Sequence, residues 1–334
     1  MSTKGKTSYL GPELLMSENY ESKYKDARPA IGEGLRGSGI CGVSCDRSGW
    51  GPDRGGWPHD VLGDASRDER AGKMLHACIF APMIPATGLC VGLDLDTGKM
   101  PQQYRDRPDA LVAFGMDVID ATREWASCYK INLAFFEQYG IPGIEAMYQL
   151  RKHCGSAYVI ADAKRGDIGN TSAAYARAVF DDLNADAITV SPYMGRDSVG
   201  PFLEVADRMV YVLALTSNPG SHDFQRMDID GQPLYRRVME STLSWPRNGD
   251  VGFVVGATNA GELAMLRGAY PNVPLLIPGL GAQGGDEQGT VAANAGGPAV
   301  FNVSRGLLYC DTSASCMTSI ATEAARLHAV LTSR

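Results

Sequence analysis

The chain has 334 residues, 44% of them apolar and 21% charged, the composition of an ordinary globular protein long enough to bury a sizeable core. With 31 Lys and Arg against 38 Asp and Glu, the net charge is −7, which argues against a nucleic-acid-binding surface. Any anion it binds must be drawn by local cations and backbone donors. Residues 1 to about 70 are rich in Gly and charge and lack a sustained hydrophobic period; Gly32–Gly56 reads as a linker or disordered stretch. Trp50 and Trp57 lie near Arg47 and Arg54, but Asp46, Asp53 and Asp60 interrupt the patch, so a solvated arm or lid is favoured over an RNA surface. Cys41, Cys45 and His59 have poor zinc spacing and no fourth ligand, and no metal is expected. Ser66–His76 carries a weak helical pattern suited to a cap. Residues 1–80 are therefore expected to be an N-terminal extension, partly disordered or lid-like.

Leu75–Leu93 is nearly uncharged, yet Pro82, Pro85, Gly88 and Gly92 break it and Asp94 follows at once. It reads as loop plus buried strand, not a membrane span. The eight cysteines are scattered without a CxxC, so reduced thiols are expected. The first residues lack the apolar core of a signal peptide, and the last four, Leu331-Thr332-Ser333-Arg334, are not a peroxisomal address. A cytoplasmic location is expected.

From Gly88 onward short apolar runs alternate with helical patterns. The runs Leu89–Leu93, Cys128–Asn132, Tyr158–Ala161, Ala187–Val190, Val210–Leu215, Gly252–Val255, Pro274–Ile277 and Val300–Val303 predict strands. Between them Asp109–Ala126, Ile144–Cys154, Thr171–Leu183, Asn259–Tyr270 and Thr312–Leu331 predict helices. Eight strand–helix units in roughly 245 residues are the count and length of an α/β TIM (β/α)8 barrel, here spanning 81–334. A doubly wound sheet would want G-x-G-x-x-G after its first strand, where this chain has Gly92-Leu93-Asp94-Leu95-Asp96.

Barrel chemistry gathers at the carboxyl ends of the strands. After the third run comes Asp162-Ala163-Lys164-Arg165-Gly166-Asp167-Ile168-Gly169-Asn170-Thr171. Strand alternation places Asp162 and Lys164 on the same side, with Asp167 just beyond in a Gly-containing loop ahead of a helix opening at Asn170 or Thr171. Two carboxylates would hold Lys164 as a cation that can also deliver a proton, and Lys130 at the second strand end would extend the array to Lys-Asp-Lys-Asp. Such an array suits a reaction in which negative charge appears on carbon and is protonated in place, without a covalent intermediate or an electron-sink cofactor. A structural ion pair capping the loop is the alternative.

The seventh and eighth strands lead into Pro278-Gly279-Leu280-Gly281-Ala282-Gln283-Gly284-Gly285-Asp286 and Val303-Ser304-Arg305-Gly306. Their glycines, the Gln283 amide and the Arg305 guanidinium suit a phosphate, which barrels commonly hold at these two positions. Asp94 after the first strand could accept from ribose hydroxyls. Thr216-Ser217-Asn218 after the fifth offers a hydroxyl and an amide to a base edge, and His222 reads as a surface residue.

Five elements in chain order, Leu89–Asp94, Lys130-Ile131-Asn132 with Phe135-Phe136-Glu137, Asp162–Thr171, Gly281–Asp286 and Ser304–Gly306, resemble the orotidine 5′-phosphate decarboxylase family in its longer branch. The resemblance implies conversion of orotidine 5′-monophosphate to UMP and CO2, the last step of pyrimidine synthesis, with no cofactor. It implies that Lys164 protonates C6 after CO2 leaves, that Asp162 faces the departing carboxylate, and that Lys130 bridges Asp162 and the ribose. It further implies that Asp94, helped by Asn132, holds ribose hydroxyls, that Ser217 reads the pyrimidine, that Gln283 and Arg305 clamp phosphate, and that Thr216, Pro278, Gly284 and Ser304 also bind substrate. Asp167, Ile168 and Thr171 would come from the partner subunit of a homodimer. A sister decarboxylase that uses Mg²⁺ and a non-catalytic nucleotide-binding protein are the rival readings, and the first 80 residues have no counterpart in the resemblance.

Overall fold

A computed structural model of the protein describes residues 87–256, 260–280 and 286–333. The expectations for Cys41, Cys45, His59, Trp50, Trp57, Ser66–His76, Gln283 and Gly284 lie outside the described residues. Eight parallel strands close into a barrel: β1 Thr87–Gly92, β2 Ala126–Asn132, β3 Val159–Arg165, β4 Ala187–Val190, β5 Met209–Leu215, β6 Asp250–Val255, β7 Leu275–Pro278 and β8 Ala299–Val303. Each pairs with its successor in sequence, and β8 pairs back to β1. The fold is the TIM barrel expected from the alternation.

The strands are apolar on both faces because each face is covered. Cys90, Cys128, Ile160, Ala187, Met209, Tyr211, Val254, Leu276 and Val300 pack inside the barrel. The alternate positions, such as Leu89, Val91, Val210 and Val212, point outward and pack under the helices. Gly252 makes room for Tyr211: a Cβ there would stand 3.0 Å from the tyrosine ring and 2.5 Å from the Pro274 carbonyl oxygen.

The longer helices are α1 Ala110–Thr122, α2 Gly140–His153, α3 Gly169–Arg177, α4 Arg196–Leu203, α5 Leu234–Ser244, α6 Ala260–Ala269, α7 Glu287–Ala293 and α8 Cys316–Thr332. The five predicted helices form with shifted ends: α2 begins at Gly140 rather than Ile144 and α8 at Cys316 rather than Thr312, and two further shifts have a visible cause. Expected to run to Ala126, α1 stops at Thr122, because Ala126 is drawn into the β2 ladder opposite Leu89. The third begins at Gly169 rather than Asn170 or Thr171 and passes into a π turn, Ala178–Asp182, closed by Leu183 N–H donating to the Ala178 carbonyl at 3.0 Å. Between β5 and α5 a small hairpin pairs Asp228–Ile229 with Gln232–Pro233. Its turn is Asp230-Gly231, both at positive φ (53° and 84°), the backbone a two-residue hairpin demands. That dipeptide was the available sequence signal.

Among the described residues no helix is long and apolar enough to cross a membrane.

Candidate active site

The carboxyl ends of β1, β2 and β3 bring four charges into one chain. Asp94 lies just past β1, Lys130 is near the end of β2, and Asp162 and Lys164 are on β3. Lys130 Nζ stands 3.3 Å from Asp94 Oδ1 and 3.0 Å from Asp162 Oδ2; Lys164 Nζ stands 2.6 Å from Asp162 Oδ1. The order Asp94–Lys130–Asp162–Lys164 alternates in sign and sums to zero, so the desolvation of each group is offset by its neighbours.

Exposure separates the members. The side chains of Lys130 and Asp162 are only 4% and 10% exposed, whereas that of Lys164 is 49% exposed and faces the barrel mouth. Burial alone pulls the Lys130 ammonium down, but the adjacent Asp162 and Asp94 carboxylates outweigh it and hold the group above its ordinary value. Burial likewise pushes Asp162 up, and the Lys130 and Lys164 ammoniums outweigh it, leaving the carboxyl well below the usual carboxylate range. Three buried or half-buried charges thus present one accessible ammonium to the mouth.

Lys164 arrives there by a different backbone route from the one alternation predicts. The strand does not end at Ala161 but runs on to Arg165, and its pairing with β4 slips: Ala161 faces Ile188 and Arg165 faces Val190. Three residues, Asp162, Ala163 and Lys164, therefore stand opposite Thr189 alone. The bulge sets Lys164 at φ 48°, in the left-handed region that non-glycine residues rarely occupy. The buried Thr189 hydroxyl accepts from Lys164 N–H at 3.0 Å and donates to Asp162 Oδ1 at 2.8 Å.

Asp167, Ile168 and Thr171 make no hydrogen bond or ion pair with Lys164 within the chain. Asp167 Oδ1 accepts from the Ile168 N–H at 2.7 Å, and no ion pair joins Asp167 to Lys164. This corrects the expectation, drawn from local spacing, that Asp162 and Asp167 of one chain both hold that lysine; the loop turns outward and leaves Ile168 58% exposed. Asn132 is half-buried, its Oδ1 accepting from Ala134 N–H at 3.3 Å. Beyond β5, the Thr216 hydroxyl donates to Asn218 Oδ1 at 2.6 Å and accepts from Gln225 Nε2 at 2.8 Å, while Ser217 is exposed. His222 closes a short 3-10 turn, Pro219–His222, and is exposed.

Pro278 ends β7 opposite Asn302 and is followed by Gly279 at φ 94°. At the end of β8, Ser304 Oγ accepts from Asn302 Nδ2 at 3.2 Å. Gly92 of β1 is what lets this corner close: a Cβ there would lie 2.0 Å from Ser304 Oγ. Arg305 opens a short helix, Arg305–Leu308, and its exposed guanidinium makes no ion pair with the described residues. Among those residues no group of three or more His, Cys, Asp or Glu side chains is placed to hold a metal ion.

A family model described as "Orotidine 5'-phosphate decarboxylase / HUMPS family" matches residues 87–313, which contain every strand of the barrel and all four charges. The chain belongs to this family. Orotidine 5′-phosphate decarboxylases of Porphyromonas gingivalis and Roseiflexus castenholzii are similar to it. The first is 44% identical over 246 residues, covering 72% of this chain and 89% of the relative; the second is 46% identical over 244 residues, covering 72% and 90%. Among solved structures, that of Leishmania donovani OMP decarboxylase matches with a TM-score of 0.63 and 37% identity, over 73% of this chain and 94% of that one. The chain is an enzyme of the orotidine 5′-phosphate decarboxylase / HUMPS family, and its alternating charges sit where a barrel enzyme keeps its chemistry.

Sequence reasoning missed several residues of this family member that shape the site. Thr189 reads as an ordinary β-former, although it is the one polar residue in the Ala187–Val190 run. Tyr309 and Tyr139 fasten the segment that follows Asp94. The Tyr309 hydroxyl accepts from Asp96 N–H at 2.8 Å and donates to the Asp94 carbonyl at 3.2 Å, and the Tyr139 hydroxyl accepts from Thr97 N–H at 3.0 Å. Nothing in the local sequence ties Tyr309 to a loop more than 200 residues away.

Proposed function

We propose that the protein decarboxylates orotidine 5′-monophosphate to UMP and CO2, completing pyrimidine synthesis. One observation carries the reading: in a chain of this family, the unbroken run Asp94–Lys130–Asp162–Lys164 ends in a half-exposed ammonium at the barrel mouth. Loss of CO2 from C6 leaves an electron pair on that carbon, and a fixed ammonium stabilises it electrostatically before delivering its proton. Lys164 is that donor. Asp162 lies against the carboxylate that departs, Lys130 holds Asp162 and reaches the ribose, and Asp94 and Asn132 take the ribose hydroxyls. Ser217 and Thr216 read the pyrimidine edge. Arg305, Gln283, Gly284, Pro278 and Ser304 receive the phosphate, whose binding energy helps close the site around the remote reacting carbon.

No metal or organic cofactor is required. The active unit is a homodimer in which Asp167, Ile168 and Thr171 complete the partner's site, a reading supported by the exposure of Ile168 and by the absence of an Asp167–Lys164 ion pair within the chain. Residues 1–80 form an extension ahead of a catalytic domain at 81–334, and the enzyme works in the cytoplasm. The test follows the loss of orotidine monophosphate absorbance with purified protein in EDTA. Turnover is expected without added metal; no turnover, or turnover only after Mg²⁺ is restored, overturns the reading.

A further inference from the structure

A bulge that sets three residues against one breaks the main-chain ladder, and the groups left over must find other partners. Here the residue opposite is Thr189, 1% exposed, and its side chain takes the ladder's place. A hydroxyl has a single hydrogen. Since Lys164 N–H can only donate, the hydroxyl oxygen accepts there, and its one hydrogen is committed to Asp162 Oδ1. That same Oδ1 receives the Lys164 ammonium at 2.6 Å, while Oδ2 receives Lys130 at 3.0 Å. Thr189 therefore grips Lys164 twice, directly at its peptide nitrogen and through Asp162 at its amine.

We infer that Thr189 is a positioning residue for the proton donor. Its hydroxyl holds the left-handed turn at Lys164 and the plane of the Asp162 carboxylate, and so sets where the ammonium stands over the reacting carbon. The inference rests on the proposed decarboxylation and names a determinant of it. A threonine present only for its strand-forming, β-branched shape would be replaced equally well by valine, and that contrast supplies the test. Valine keeps the shape, but it leaves the Lys164 N–H without its acceptor and removes a donor from Asp162. Serine restores both.

Thr189→Val, Thr189→Ser and Thr189→Ala are compared with wild type by steady-state decarboxylation and by amide hydrogen exchange of the peptide containing Lys164. For Thr189→Val, kcat is expected to fall on the order of 10- to 100-fold, the cost of orphaning one buried hydrogen-bonding group. KM should stay within about 3-fold, because Thr189 itself touches no substrate group and the proposed ribose and phosphate contacts are kept. Exchange at Lys164 should accelerate in Thr189→Val, and Thr189→Ser should recover most of both losses. Thr189→Ala, also without the hydroxyl, stands in if the valine variant does not fold. Wild-type kcat in Thr189→Val, or a serine variant as slow as the valine one, overturns the inference. Should wild type fail to turn over orotidine monophosphate, the functional reading falls, and the exchange data alone decide whether Thr189 holds Lys164.

Discussion

The two arcs of the barrel mouth are built on opposite plans. Across β1 to β4, Asp94, Lys130, Asp162, Thr189 and Lys164 satisfy one another through short contacts, and all but Lys164 are largely withdrawn from water. Across β5 to β8, Ser217 and Arg305 are exposed and their side chains make no hydrogen bond or ion pair with the described residues, and Pro278 leads into a turn at positive φ. The first arc has its partners before any substrate arrives, and its dipoles are oriented in advance. The second arc leaves the donors of Ser217 and Arg305 without a partner among the described residues. On the proposed function, charge that acts on a transition state is fixed internally, while charge that captures the phosphate is left free.

The contrast can be broken most severely at Lys164. Lys164→Ala should lower kcat by several orders of magnitude while leaving the melting temperature close to wild type, since the side chain is half-exposed and Asp162 keeps Lys130 and Thr189. A variant keeping a tenth of wild-type turnover would remove the proton-donor assignment. Arg305→Ala addresses the other arc. It should lower kcat/KM by about 100-fold or more, with KM raised and kcat also reduced, and leave stability unchanged because no ion pair is lost. Kinetics matching wild type would place the phosphate elsewhere.

Mixing inactive Asp167→Ala with inactive Lys164→Ala sharpens the comparison by asking which chain completes the first arc. If Asp167 acts across the interface, each mixed dimer has one site with both lesions and one with neither. Activity should then return toward about a quarter of wild type after subunit exchange, since about half of the dimers are mixed. No recovery despite demonstrated exchange would confine Asp167 to its own chain.

The smallest effect is on stability. Lys130→Met leaves the buried Asp162 and the half-buried Asp94 without their shared cation and should cost about 3–5 kcal/mol near neutral pH, read by denaturant unfolding. Asp162 is held below its ordinary value in the folded protein, so its contribution is present above the unfolded value and lost as pH falls through the folded one. Lys130 is held above its ordinary value, so its contribution is present below the unfolded value and lost as pH rises through the folded one. The penalty of Lys130→Met should therefore be level from about pH 5 to 9 and shrink in acid, where the variant's carboxylates can protonate. A penalty that grows below pH 5 would contradict this electrostatic account.

Much of this was legible along the chain because it is encoded locally. A strand covered on both faces must be apolar nearly throughout, and that requirement marked all eight strands within a few residues of their ends. Asp162 and Lys164 were recognisable as a pair because their spacing and their place after an apolar run are both local. Arg305, Ser304 and Pro278 could be placed at strand ends for the same reason.

What the tertiary structure alone decided depends on neighbours distant in sequence. Whether Asp167 turns toward or away from Lys164 follows from the path of a loop, and three residues of separation do not specify it. The slip that sets Asp162, Ala163 and Lys164 against Thr189 belongs to the pairing of β3 with β4, and pairing is a property of two segments together. A threonine in an apolar run satisfies strand propensity whether or not its hydroxyl is used, so the role of Thr189 left no mark on the sequence. Tyr309 meets the Asp94 segment only because the barrel closes β8 onto β1, and closure is a constraint on the whole ring of strands.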